Sequence, residues 1–172
     1  MWRSRRESKR LAMKMSGLLK PGSRTRLQHL EDAAGNDAER GALRTSYELT
    51  KGGKLLWTPK DRSAIPTLGK NGRDAIRRGM HSYYADMIGL NPDSLGHLEE
   101  VNKYISMEMG SREDRLRVLA GTPGMSEKLL PSDPRLRGVV KEHLSAELDA
   151  LREINTTLSS RIAVIEKANK KP

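Results

Sequence analysis

"DPRLRGVVKEHLSAELDALREINTTLSSRIAVIEKA", Asp133 to Ala168, decides the fold class. Asp133 can cap a helix through its carboxylate. Pro134 suits a first helical turn, where its missing N–H would have no partner anyway. From Val139 to Ala168 neither Gly nor Pro interrupts the run. Leu144, Leu151, Leu158 and Ile165 share one heptad position. Val140, Ile154 and Ala168 share a second, which Glu147 and Arg161 interrupt, and Leu148 and Ile162 widen the stripe. A stripe this broad suits a bundle or a small oligomer better than a strict two-stranded zipper. The sequence predicts one long C-terminal helix that packs or self-associates through Leu144, Leu151, Ile154, Leu158 and Ile165.

The remainder of the chain points the same way. It has 172 residues, no Cys, no Phe, two Trp and four Tyr. Leu, Ile, Val, Met and Ala must fill the core, and the scarcity of aromatic residues disfavours strands. The absence of Cys excludes disulfides, thiolate zinc sites and thiol catalysis. No apolar run approaches the ~18 residues of a membrane span. "LAMKMSGLL" is broken by Lys14 and makes no secretory core. The chain is expected to be neither secreted nor transmembrane.

Periodicity predicts an amphipathic helix over 3–20, ended by Pro21-Gly22. A second helix follows with Ser23 as its cap and Leu27 and Leu30 on one face. A third covers 38–51. Residues 54–72 read as a connector, with "KLLWT" as its one strand-like piece and Trp57 packed on the helices. Helices are then expected at 72–88, at 93–109 closed by Gly110, and from "SRED" (Ser111 to Asp114) to Ala120. The expected architecture is all-α: a basic N-terminal arm or amphipathic helix at 1–22, a helical body at 23–130, and a C-terminal packing helix at 131–172.

Chemistry-bearing motifs are sparse. His29, His81, His97 and His143 form no H-E-x-x-H pair, and His97 with Glu100 lacks further ligands. No phosphate-cradling G-x-x-x-x-G-K-[ST] loop or G-x-S-x-G elbow is present. Adjacent acids such as Glu31-Asp32 and Glu99-Glu100 do not face each other on a helix. No enzyme, cofactor or metal is expected.

The net charge of +10 is uneven. Nine of the first thirty residues are Lys or Arg, and only Glu7 is acidic. Residues 1–60 carry 14 basic and 6 acidic groups, and residues 61–100 carry 5 and 6. Such clustering points to a polyanionic partner. Arg3, Arg5, Arg6, Lys9 and Arg10 have the density to follow phosphates. On a helical wheel they lie opposite Leu11, Met15 and Leu18, which also suits an anionic membrane surface. The same features fit a nuclear address or a mitochondrial presequence.

A second basic stretch is "LGKNGRDAIRRGMHSYY", Leu68 to Tyr84. Gly69-Lys70-Asn71-Gly72 resembles the G-x-x-G loop with which KH domains clamp an RNA backbone. The resemblance covers about nine residues, and it implies flanking strands that this sequence does not offer. Without the family, two glycines still let backbone approach a phosphate at a helix start. Lys70, Arg73, Arg77 and Arg78 add charge, and Tyr83 or Tyr84 can stack a base; the structural alternative is a helix start with an Asp74–Arg78 pair and buried Tyr side chains.

The leading expectation is a non-enzymatic nucleic-acid-binding protein, RNA before DNA, in a nucleoprotein assembly. A viral nucleocapsid-type or ribosome-associated component, intracellular or in a virion, fits this. A peripheral membrane or matrix-like scaffold using residues 3–20 is the alternative. A helical adaptor binding a partner, or a second copy, through the C-terminal helix is the third.

Overall fold

The computed structural model describes residues 5–18, 23–51, 67–124, 130–131 and 133–170. Trp2, Arg3, Pro21-Gly22 and the connector around Trp57 lie outside them. Six helices occur among the described residues: α1 (Arg5–Leu18), α2 (Arg26–Ala33), α3 (Asp37–Thr50), α4 (Gly69–Gly89), α5 (Leu95–Leu119) and α6 (Pro134–Asn169). The fold is all-α, as expected.

Local signals set most helix starts. Thr25, not Ser23, begins α2: its side chain accepts from the Gln28 amide while Gln28 reaches back to the Thr25 amide. Asn36 caps α3, Ser94 caps α5, and Asp133 accepts from the Arg135 amide to cap α6 behind Pro134.

The largest departure from expectation is α5. It runs unbroken for 25 residues through Gly110 and "SRED". One internal Gly weakens a helix by only about 1 kcal/mol against Ala. Arg112, expected near the start of a new helix, instead pairs with Glu108 one turn back and with Glu147 on α6, which locks both turns together. A Cβ on Gly110 would meet nothing within 4 Å. Gly110→Ala should therefore raise stability by about 0.5–1 kcal/mol, read as a higher denaturant midpoint at unchanged slope.

The 36 residues of α6 span about 54 Å and form the axis of the fold. α6 packs against α3, α4 and α5. Arg112 meets Glu147 while Asn102 meets Asn155, so α5 runs antiparallel to α6. Arg77 meets Glu153, and Arg161 meets the carbonyl of Pro92 just beyond α4, so α4 runs parallel to α6. α2 lies antiparallel across α4, with His29 at Ser82 and Ala33 at Arg78.

The main core draws on every helix: Met15, Leu30, Leu43, Ile76, Met80, Met87, Leu98, Ile105, Leu151 and Ile154 are among its buried members. A smaller core of Leu49, Val139, Val140 and Leu144 sits at the start of α6. Leu144, Leu151, Ile154 and Leu158 are all buried, and Ile165 packs partly buried against the main core. The stripe that the sequence offers for self-association is thus consumed within the chain. It is covered because α6 has neighbours on several sides.

Candidate nucleic-acid interface

α1 is amphipathic as its spacing predicts, and it is docked rather than free. Met15 is fully buried, Leu11 and Ala12 pack on the main core, and Lys14 pairs with Glu100 of α5. Arg6, Lys9 and Arg10 face solvent, as does Met13. None of these three cations has an acidic partner among the described residues. Arg5 lies in the first turn of the helix, and Arg3 is outside the described residues. The apolar face that a lipid surface would take is held against α5.

The stretch from Leu68 to Tyr84 is rearranged relative to expectation. Gly69-Lys70-Asn71-Gly72 is no loop: it is the first turn of α4. Gly69 opens the helix at φ +60°, a left-handed conformation that only Gly takes without strain. Gly72 is buried against Leu68, and its amide donates to the Leu68 carbonyl at 3.0 Å. That donor is no longer free to meet a phosphate. No strand flanks the turn among the described residues. The resemblance to a KH clamp therefore does not extend to structure.

The stacking platform is also absent. Tyr83 and Tyr84 are buried in the main core, where their rings meet edge to face at 5.1 Å. Burial pushes both phenols above their ordinary pKa.

Of the four cations, Lys70 and Arg73 are exposed with no acidic partner among the described residues. Arg78 donates to the Ala33 carbonyl at 3.0 Å instead of pairing with Asp74, and so ties α4 to α2. Arg77 is engaged by Glu153 of α6, which also contacts His81. At 1.5 Å rise per residue, Lys70, Arg73 and Arg77 form a rail about 10 Å long on one side of α4.

The four histidines all find partners in the fold. His29 bridges Ser82 at 2.9 Å and Asp86 at 3.2 Å, and His97 contacts the Met87 carbonyl at 2.9 Å. No group of residues that could hold a metal occurs among the described residues. No helix among them is long and apolar enough to cross a membrane.

The feature that sequence reasoning missed is a buried ionic belt. Arg112 and Glu147 are both about 1 % exposed and meet at 3.3 Å. Arg26 approaches Glu147 at 3.7 Å and Glu108 at 3.8 Å. His143, fully buried, contacts Ser46 at 2.7 Å and stands 3.5 Å from Glu147, an ion-pair distance rather than a hydrogen bond. Arg115 donates to the Thr50 carbonyl. Burial alone would raise the Glu147 carboxyl, but Arg112, Arg26 and His143 beside it hold it well below the usual carboxylate range. One signal was legible: Glu147 is an acid inside an apolar stripe, and such a residue needs a buried partner.

No protein family, curated protein or solved structure matches this chain. Its own residues therefore carry the functional reading.

Proposed function

We propose that this protein binds single-stranded nucleic acid, RNA in the first place, through phosphate contacts from exposed helical cations. The observation that carries the reading is the outward face of α1. Arg6, Lys9 and Arg10 stand in solvent without acidic partners among the described residues, on a helix whose opposite face is anchored by Met15. Many other cations are neutralised within the fold: Lys14 by Glu100, Arg24 by Asp32, Arg40 by Asp37, Arg44 by Glu31, and Arg161 by Asp93. Pre-ordered charge that folding leaves free is what a phosphate chain recruits, with counterion release as the driving term. Lys70 and Arg73 extend the charge on α4. With Tyr83 and Tyr84 internal, the described residues offer no exposed aromatic ring for stacking, and binding through them would be weakly sequence-selective.

Lipid is the less favoured partner, because a bilayer would compete with α5 for Leu11 and Met15. The test is a titration of the full chain against a single-stranded oligonucleotide, duplex DNA and anionic vesicles at several salt concentrations. Replacing Arg6, Lys9 and Arg10 together by Gln should weaken RNA binding at least tenfold. It should also flatten the slope of log K against log salt by about 2, at ~0.7 for each phosphate no longer neutralised. Unchanged affinity in that variant, or vesicle binding that persists at high salt while RNA binding is negligible, defeats the proposal.

A further inference from the structure

Glu153 is bound as a phosphate oxygen would be. Its Oε2 accepts from Arg77 Nε at 3.0 Å and lies 2.9 Å from Arg77 Nη2 and 2.9 Å from His81 Nε2. All these contacts converge on one oxygen. The two partners stand one turn apart on α4, in line with Lys70 and Arg73, whereas the carboxylate comes from α6. Against the upward pull of its slight burial, hydrogen bonds from His81 and Arg77 keep the Glu153 carboxyl below its ordinary pKa. It is therefore present as the anion.

The three side chains are not sealed. Arg77, His81 and Glu153 keep 57, 42 and 39 % of their surface in solvent. An exposed pair of this kind is a weak restraint, and an RNA phosphodiester, whose two non-bridging oxygens share one negative charge, can take the guanidinium in the same forked geometry as the carboxylate. A row of cations on α4, closed at one end by a carboxylate from α6, is the arrangement of a self-occupied anion site.

We infer that Arg77 and His81 are a phosphate site on the α4 rail that the chain itself occupies with Glu153, so that Glu153 limits the affinity of this face for RNA. The inference rests on the nucleic-acid reading above and assigns its regulation. An incoming strand that follows Lys70 and Arg73 reaches Arg77 next and must displace the Glu153 carboxylate there. Contacts at Lys70 and Arg73 come first, and Arg77 joins only when a phosphate is held against it. Short or poorly charged ligands thus gain less from this face than a continuous strand does.

The experiment compares Glu153→Gln with Asp149→Asn in binding a uridine homopolymer. Asp149 is an exposed carboxylate one turn away whose approach to Arg152 is a loose 3.9 Å. Both variants remove one negative charge from the same stretch of α6, but only the first releases Arg77. Glu153→Gln should bind three- to tenfold more tightly than wild type at the same salt. Its salt slope should steepen by about 0.7, one further phosphate neutralised. Adding Arg77→Gln should abolish that gain, and Asp149→Asn should gain less than twofold. Equal gains in Glu153→Gln and Asp149→Asn overturn the inference, because general electrostatics then accounts for both. So does an unchanged Glu153→Gln. If the α1 variant still loses affinity in those cases, the nucleic-acid reading survives without this refinement. If wild type binds no RNA, both fall. Matching circular dichroism spectra and melting temperatures exclude a fold defect; Arg77 and Asp149 lie on exposed helix surface and Glu153 is half-buried.

Discussion

Glu147→Ala should lower the unfolding free energy by about 3–5 kcal/mol, the usual consequence of stranding a buried charge. The carboxylate it removes is the shared partner of Arg112 and Arg26. Arg112 would stay buried with only Glu108 to balance it, and a guanidinium there cannot shed its proton to escape. The contrast is the double variant Arg112→Met with Glu147→Leu, which removes both charges and keeps the volume. It should fall far less than the sum of the single changes, because a well-packed apolar pair often replaces a buried ion pair with little loss. Urea denaturation followed by circular dichroism measures both. A loss below about 1 kcal/mol for Glu147→Ala would show that water relieves the belt.

The pH dependence has a definite sign. The Glu147 carboxyl is held well below its unfolded value of 4.5 in the folded chain. Its stabilisation is therefore complete above pH 4.5 and disappears as the pH falls through the depressed folded value. Wild type should lose more stability on acidification than the double variant.

Gly79→Ala should be the most damaging change of a single methyl group. A Cβ at this position would stand 2.7 Å from the Leu30 Cα and 2.9 Å from the His29 carbonyl oxygen. These are backbone atoms, which cannot rotate aside as a side-chain tip can. α2 would have to lift from α4, disturbing the His29 contacts to Ser82 and Asp86 and the bond from Arg78 to Ala33. A loss of about 2–3 kcal/mol, towards the upper end for overpacking, is expected. Gly89→Ala on the same helix meets nothing within 4 Å and serves as the control. Thermal melts of the two variants decide it, and a Gly79→Ala midpoint equal to that of Gly89→Ala would mean that α2 shifts freely.

What could be read in advance depended on whether the signals were local. The all-α class and the limits of α6 were legible, because Asp133-Pro134 and the apolar spacing act within a few residues. The apolar face of α1 was legible for the same reason, but its docking on α5 was not, since Lys14 meets Glu100 only when the helices pack. The continuity of α5 was not: Gly110 and Ser111 read as stop and start, and the ties of Arg112 that override them reach to Glu147, far along the chain. The basic residues at 69–78 were correctly seen as charge, but their partners were not visible. Arg77 is taken by Glu153 and Arg78 by Ala33, both contacts created only when helices pack. Burial of Tyr83 and Tyr84 was legible as the alternative to stacking, because Tyr84 keeps helical spacing with Ala75, Ile76 and Met80, and the structure takes that alternative.

The ionic belt has one more consequence. On α6 its Glu147 falls between Leu144 of the smaller core and Ala150 of the main core. Apolar surfaces cohere only where they touch, so the two cores do not reinforce each other across a layer of charges. The first turns of α6 and the last turn of α3 should then open at lower free energy than the rest, read as faster amide hydrogen exchange there. Local opening would meet least resistance at that end, while α1, α4 and the remainder of α6 stay folded.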